Sequence, residues 1–174
     1  MLKKQRWKTE ASGLDNAAVE MFCSLEKVFA LSGPAVARDS ESIVFRVDGG
    51  ENAYYVKRYH KTKGIRSWFG LSRIRREAEN QLLFKRLEIP AAEVVAYGEE
   101  HIFTRTLRGA LITLAVEDTA DLASTAHEKP HLIQNRRWAR QVISQVAQIT
   151  RTLHDYRFCH NDLKWRNILA TQDE

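Results

Sequence analysis

The chain has 174 residues, 44% of them hydrophobic, with a formal net charge of +5 and a pI near 9.3. That is enough to bury a core of about one domain's size. No run approaches the length of a bilayer-spanning helix and the opening MLKKQRWKTE is basic with no apolar stretch behind it, so the sequence predicts a soluble, unexported protein with an anionic partner.

In chain order, the first element is LDNAAVEMFCSLEKVFAL (Leu14–Leu31), whose apolar residues recur at helical spacing up to a stop at Ser32-Gly33-Pro34. It predicts one helix on the outside of the domain. Next come two β-rich runs, SIVFRV (Ser42–Val47) and AYYVKRY (Ala53–Tyr59), joined by Asp48-Gly49-Gly50-Glu51-Asn52, which is hairpin chemistry. After a basic segment, a second helix is predicted over Ser72–Leu87, ending before Pro90. Two short strands follow, AEVVAYG and HIFTRT, with Gly98-Glu99-Glu100 between them. Beyond Thr106 a mixed, moderately polar stretch leads to Pro130. Arg136–Tyr156 then carries Trp138, Val142, Val146, Ile149, Leu153 and Tyr156 on one helical stripe. The division this predicts is an extension helix with a sheet unit over residues 1–106 and a mainly helical unit over residues 107–174. Cys23 and Cys159 are far apart without a C-x-x-C spacing, which argues against a disulfide framework or zinc site and predicts two small buried hydrophobes.

Directly after the long predicted helix stands HNDLKWRNIL, with His160, Asp162 and Asn167 in the spacing H-x-D-x-x-x-x-N. This is the catalytic-loop pattern of kinase-type phosphoryl-transfer enzymes, and a small sheet unit followed by a helical unit is the order of that fold. The predicted class is α+β, a protein-kinase-like two-lobe fold with a small antiparallel-sheet lobe, one main helix, and an incomplete helical C-lobe. Phosphoryl transfer needs a carboxylate on the attacking hydroxyl, a divalent metal between phosphates, and cations on the transferring charge. Asp162 is the candidate carboxylate, Asn167 the candidate Mg²⁺ ligand, and Lys164 the candidate cation on the γ-phosphate of ATP. His160 reads as structural, positioning the loop by hydrogen bonds. Bland alternatives are a turn-initiating Asp162, a surface amide and a solvated lysine.

A strand lysine paired with a glutamate of the next helix is the second half of the pattern. Lys57 follows Val56 in YYVKRY, and a lysine in an apolar strand needs a partner. Glu77 is the first candidate and Glu79, on nearly the opposite helical face, the second. The competing reading of Lys57 is an edge-strand residue guarding against aggregation. Where a glycine-rich loop is expected the chain reads ARDSESIVFRV, so backbone amides and the hydroxyls of Ser40 and Ser42 are the candidate cover for phosphates.

The frame YVKRY, then RREAENQLLFKRLEIPAAEVVAYG, then a long helix leading to HNDLKWRNIL, resembles the lipopolysaccharide kinases of the Kdo/WaaP type over about residues 38–170. The resemblance implies ATP-dependent phosphorylation of a lipopolysaccharide inner-core sugar at the cytoplasmic face of the inner membrane. It implies Lys57 as the nucleotide lysine, Glu77 as its partner, Asp162 as the catalytic aspartate and Asn167 as a metal ligand. Such kinases also carry a metal-binding Asp in a DFG-like position after the catalytic loop, which this sequence does not reach, so a C-terminally truncated chain without phosphotransfer of its own is expected. Small-molecule phosphotransferases of the aminoglycoside type and inactive kinase-like binding modules remain alternatives. Finally, KTKGIRSWFGLSRIRR (Lys61–Arg76) sets basic residues around Trp68 and Phe69, a pattern that docks on an anionic membrane face or phosphorylated glycan. It also suits RNA by phosphate contact and stacking, though no specific nucleic acid is expected, and its bland reading is a solvated basic loop.

Overall fold

The computed structural model describes residues 3–10, 14–60, 72–103 and 105–171, in two compact units, Met1–Ala115 and Val116–Glu174. The first is built on a six-stranded antiparallel sheet. Its strands are β1 (Lys3–Thr9), β2 (Ala35–Arg38), β3 (Ser42–Gly49), β4 (Asn52–Tyr59), β5 (Val94–Ile102) and β6 (Arg105–Leu114), in spatial order β1-β5-β6-β4-β3-β2. Helices α1 (Asn16–Phe22) and α2 (Leu25–Ala30) cover one face, and α3 (Arg73–Arg86) packs on the other. Alternation along β4 separates the two cores: Tyr54 and Val56 join Phe22, Leu25, Val28 and Ile112 on the α1–α2 side, while Tyr59 joins Ile74, Ala78 and Leu111 on the α3 side.

The helix predicted over Leu14–Leu31 is two short helices. Ser24, with extended backbone, caps α2 through its side chain, which accepts from Lys27 N at 3.3 Å; a local hydroxyl–amide bond of this kind competes with helix continuation. Asp15 caps α1, its Oδ1 accepting from Ala18 N at 2.7 Å, and its Oδ2 accepts from Glu51 N at 3.3 Å in the β3–β4 turn. Gly50 in that turn has φ 65, and a Cβ there would stand 1.8 Å from Asp15 Oδ2. One carboxylate therefore fastens helix start and hairpin turn together. At the other end of the helix pair, Arg58 donates through Nε and Nη2 to Val28 O at 3.1 and 2.6 Å and through Nη2 to Leu31 O, with Phe29 and Phe45 rings at 5.3 and 4.3 Å.

Three other expectations are corrected here, and one strand stands where none was expected. The basic KKQRWKT is a strand: β1 pairs along β5, and the approach is so close that a Cβ on Gly98 would lie 2.2 Å from Arg6 O. Gly98-Glu99-Glu100 accordingly lies inside β5, and the chain reverses between Ile102 and Arg105. Strand β6 runs on to Leu114 because Ala110, Leu111 and Ile112 are buried in the sheet, so the first unit extends past the boundary expected at Thr106. Both cysteines are exposed, Cys23 at the break between α1 and α2 and Cys159 before His160, so neither is a core hydrophobe.

The second unit contains β7 (Thr119–Asp121), α4 (Leu122–Glu128), α5 (Pro130–Gln134), α6 (Arg136–Asp155), a 3-10 turn at Trp165–Asn167, and β8 (Leu169–Thr171), which pairs antiparallel with β7. Its core is Leu122, Leu132 and Trp138, with Val142, Ile168 and Ala170 against them. Asn135 caps α6, accepting from Arg137 N and Trp138 N at 3.0 and 3.3 Å. Of the predicted stripe, Trp138 and Leu153 are buried, whereas Tyr156 is 64% exposed. After Asp155 the chain turns through Arg157 at φ 55, with Phe158 N donating to Leu153 O at 2.9 Å. Among the described residues no helix is long and apolar enough to cross a membrane.

Candidate functional site

The segment after α6 is tied down at both ends. At its start Phe158 N donates to Leu153 O at 2.9 Å; at its end Ile168 O accepts from Leu122 N at 3.0 Å, and Trp138 Nε1 donates to Thr171 O at 3.1 Å. Between these anchors His160, Asp162, Lys164 and Asn167 come together. Asn167 Nδ2 donates to Asp162 O at 2.8 Å and to Asp162 Oδ2 at 2.9 Å. Lys164 Nζ lies 2.7 Å from Asp162 Oδ1. Asp162 N donates to His160 Nδ1 at 3.3 Å, and the imidazole stands edge-on to Phe158 at 6.4 Å between centroids. The hydrogen bond from Lys164 and then that from Asn167 hold the Asp162 carboxyl below the usual carboxylate range, against the effect of burial.

A carboxylate held this way can orient a hydroxyl while remaining a weak base. The Asn167 amide nitrogen is turned to Asp162, which leaves Oδ1 as the atom fit to face a cation. One neutral oxygen suits Mg²⁺ as part of a set completed by phosphate oxygens and water. Among the described residues there is no group of three or more His, Cys, Asp or Glu that could hold a metal ion.

The second group lies in the first unit. β4 sits between β3 and β6, so Lys57 is on an interior strand and the edge-guard reading does not apply. Its Nζ is 2.7 Å from Glu77 Oε2, and Glu79 instead accepts from Arg75 Nε at 2.7 Å. Helix rotation decides this: Glu77 and Glu79 are about 200° apart around α3, so only one can face the sheet.

Ser42 and Ser40 fare differently. Ser42 is buried and its Oγ donates to Asp39 Oδ2 at 3.0 Å, so the hydroxyl proton expected on a phosphate points at a carboxylate. Asp39 Oδ1 also accepts from Glu41 N at 2.7 Å and Ser42 N at 2.6 Å. The bond from Glu41 N–H does most to hold the Asp39 carboxyl below the usual carboxylate range. Ser40 is exposed in the same turn.

Sequence reading missed Tyr59, Arg73, Asp39 and Glu41 as companions of Lys57 and Glu77. The signals were two short spacings: Tyr59 is two residues beyond Lys57 on a strand, and Arg73 is four residues before Glu77 on a helix. Of the basic segment, residues 61–71 lie outside the described residues. Its Arg73 and Arg75 are engaged by acids, Arg73 with Glu77 Oε1 at 3.2 Å and Glu41 Oε2 at 3.1 Å.

Comparison with known proteins adds three findings. A family model described as "Lipopolysaccharide kinase (Kdo/WaaP) family" matches residues 30–174. A solved structure titled "WaaP in complex with acyl carrier protein" is similar at 20% sequence identity and a TM-score of 0.45, covering 64% of this chain and 40% of that one. This chain thus spans well under two thirds of that structure's length. No curated protein matches.

Proposed function

The chain belongs to the lipopolysaccharide kinase (Kdo/WaaP) family, and from that premise we propose a phosphotransferase that moves the γ-phosphate of ATP to a hydroxyl of a lipopolysaccharide inner-core sugar, on a protein-kinase-like two-lobe fold. The observation that carries the reading is the Asp162 carboxylate held by Lys164 and Asn167 in an H-x-D-x-x-x-x-N loop. Asp162 accepts the hydrogen bond of the sugar hydroxyl and aligns its oxygen for in-line attack; with its pKa lowered, it takes the proton only as the new oxygen–phosphorus bond forms and the bond from the γ-phosphorus to the bridging oxygen breaks, releasing ADP. Lys164 turns from Asp162 toward the negative charge of the transferring phosphate. Lys57, fixed by Glu77, meets the nucleotide phosphates, together with the backbone and Ser40 of the Asp39–Ser42 turn. Asn167 Oδ1 would hold Mg²⁺ from this loop, and the ion would supply positive charge against that of the nucleotide phosphates.

The basic stretch Lys61–Arg76 is proposed to keep the protein at the cytoplasmic face of the inner membrane. Co-sedimentation with anionic vesicles that fades with added salt supports this, and binding indifferent to salt opposes it.

The test of the activity is transfer of labelled phosphate from ATP to dephosphorylated lipopolysaccharide core. It is run with residues 1–174 and with the product of the whole reading frame, each beside its Asp162→Asn variant. With Asn167 as a single neutral ligand, residues 1–174 alone are expected to transfer no phosphate. Where the reading frame continues past residue 174, its whole product is expected to transfer it, and Asp162→Asn to abolish the transfer. No transfer to core sugars, but transfer to aminoglycosides or other small alcohols, moves the assignment to small-molecule phosphotransferases; none to any acceptor overturns it.

A further inference from the structure

Lys57 and Tyr59 share one face of β4, the face turned to α3. The Tyr59 hydroxyl donates to Glu77 Oε2, the same oxygen that receives Lys57 Nζ at 2.7 Å. The other carboxylate oxygen, Oε1, takes Arg73 Nε at 3.2 Å. Arg73 then reaches past α3: Nη1 is 3.1 Å from Glu41 Oε2 and Nη2 is 3.6 Å from Asp39 Oδ2. Glu77 is thus gripped by donors from both a strand and its own helix. Arg73 joins that helix to the turn whose amides close on Asp39.

We propose that Tyr59 and Arg73 are positioning residues that hold Glu77 against Lys57 and tie the Asp39–Ser42 turn to α3, so that the lysine is set before nucleotide arrives. The proposal rests on the nucleotide reading of Lys57. A glutamate at a helix surface has several rotamers, and a single bond to a flexible lysine fixes neither side chain. Three donors on two oxygens do, because each additional charge-assisted bond removes rotamers that break the others. Tyr59 is buried at 4% exposure, and burial first, then the charge of Glu77, raise its hydroxyl well above the usual tyrosine range. It therefore remains a donor wherever the protein is folded. Arg73 supplies what a lysine cannot, a planar fork that serves Glu77 and Glu41 at once.

A buried tyrosine also needs some acceptor for its hydroxyl, so the experiment must read Lys57 itself. Tyr59→Phe keeps the ring, including its contact with Lys57 Nζ at 5.2 Å, and removes only the donor. Wild type and variant are acylated with trace acetic anhydride, and modification at Lys57 is compared by mass spectrometry with Lys3, Lys27 and Lys85 in the same sample. Lys57 is expected to react about tenfold faster in the variant relative to the other lysines, as loss of one charge-assisted bond implies. Arg73→Gln is expected to give a similar rise and Arg73→Lys a smaller one. General loosening would raise all lysines together and leave the ratio unchanged. An unchanged Lys57 ratio in both Tyr59→Phe and Arg73→Gln overturns the proposal. Binding of Mg²⁺–ATP, measured beside Lys57→Met, separates the underlying reading: equal binding by Lys57→Met and wild type defeats the nucleotide role of Lys57, while the acylation ratio still judges the positioning role.

Discussion

Asp162 has both carboxylate oxygens engaged by neighbours on its own loop, and the stronger lowering comes from Lys164. The sign follows directly: a carboxyl whose pKa lies below its ordinary value stays ionised further into acid. Removing the ammonium lets it return toward the ordinary value of about 4. Lys164→Met is therefore expected to shift the Asp162 titration upward, read by carbon NMR of the side-chain carboxyl; a downward shift or none would contradict the assignment of Lys164 as its main neighbour. Gly50 offers a test of a different kind. Alanine there must take φ 65, at about 1–2 kcal/mol, and its Cβ displaces Asp15, removing a helix cap for about 1 kcal/mol more. Urea unfolding of Gly50→Ala should show a loss near the sum, about 2–3 kcal/mol. At this scale the sequence was informative wherever chemistry and spacing are local. Asp162, Lys164 and Asn167 lie within six positions and meet. Lys57 needed a partner because it stands in an apolar strand, and that too could be inferred. Whether Glu77 or Glu79 supplied it could not, because the answer depends on how α3 is rotated over the sheet. The Tyr59 and Arg73 contacts follow from the same rotation.

Helices α1 and α2 are short enough to be marginal on their own and owe their stability to the sheet beneath them. Phe22 is the clearest contact: 1% exposed, edge-on to Tyr54 at 4.9 Å between centroids, with its carbonyl accepting from Trp7 Nε1 at 2.8 Å. Phe22→Ala is expected to cost about 3–5 kcal/mol in chemical denaturation, the range for an aromatic removed from a packed core. A loss below about 1 kcal/mol would mean that the helix pair carries little of the unit's stability. The break between the two helices was hidden in the sequence because the apolar period continues through Cys23 and Ser24 while only the Ser24 hydroxyl interrupts it. Strand β1 was hidden for another reason. KKQRWKT shows no apolar alternation, and what admits it to the sheet is a residue ninety positions away, Gly98, whose missing side chain lets the backbones approach. Strands β3, β4 and helix α3, by contrast, announce themselves through alternation, turn glycines and a serine cap, and their bounds fall within two residues of those expected.

At the scale of the whole molecule, each unit encloses its own core. Their order, a sheet unit and then a helical unit, was legible from the change of period along the chain, but the boundary was placed early because the last strand of the sheet is rich in apolar residues without a polar partner face. The family model begins at residue 30, whereas the first unit is already under way at Lys3. Homology thus marks a shorter stretch than physics requires. A protein expressed from residue 30 onward would keep every residue of the candidate site and yet leave Phe45, Tyr54, Val56 and Ile112 without Phe22, Leu25 and Val28 over them, and Arg58 without the Val28 carbonyl that it holds. Such a protein should be recovered as aggregate and bind dyes that seek apolar surface, while the chain from Met1 is expected to remain dispersed under the same conditions. In laboratory terms, the eighteen residues from Leu14 to Leu31 act as a lid sewn permanently onto the sheet, and trimming by family likeness would cut through its seam.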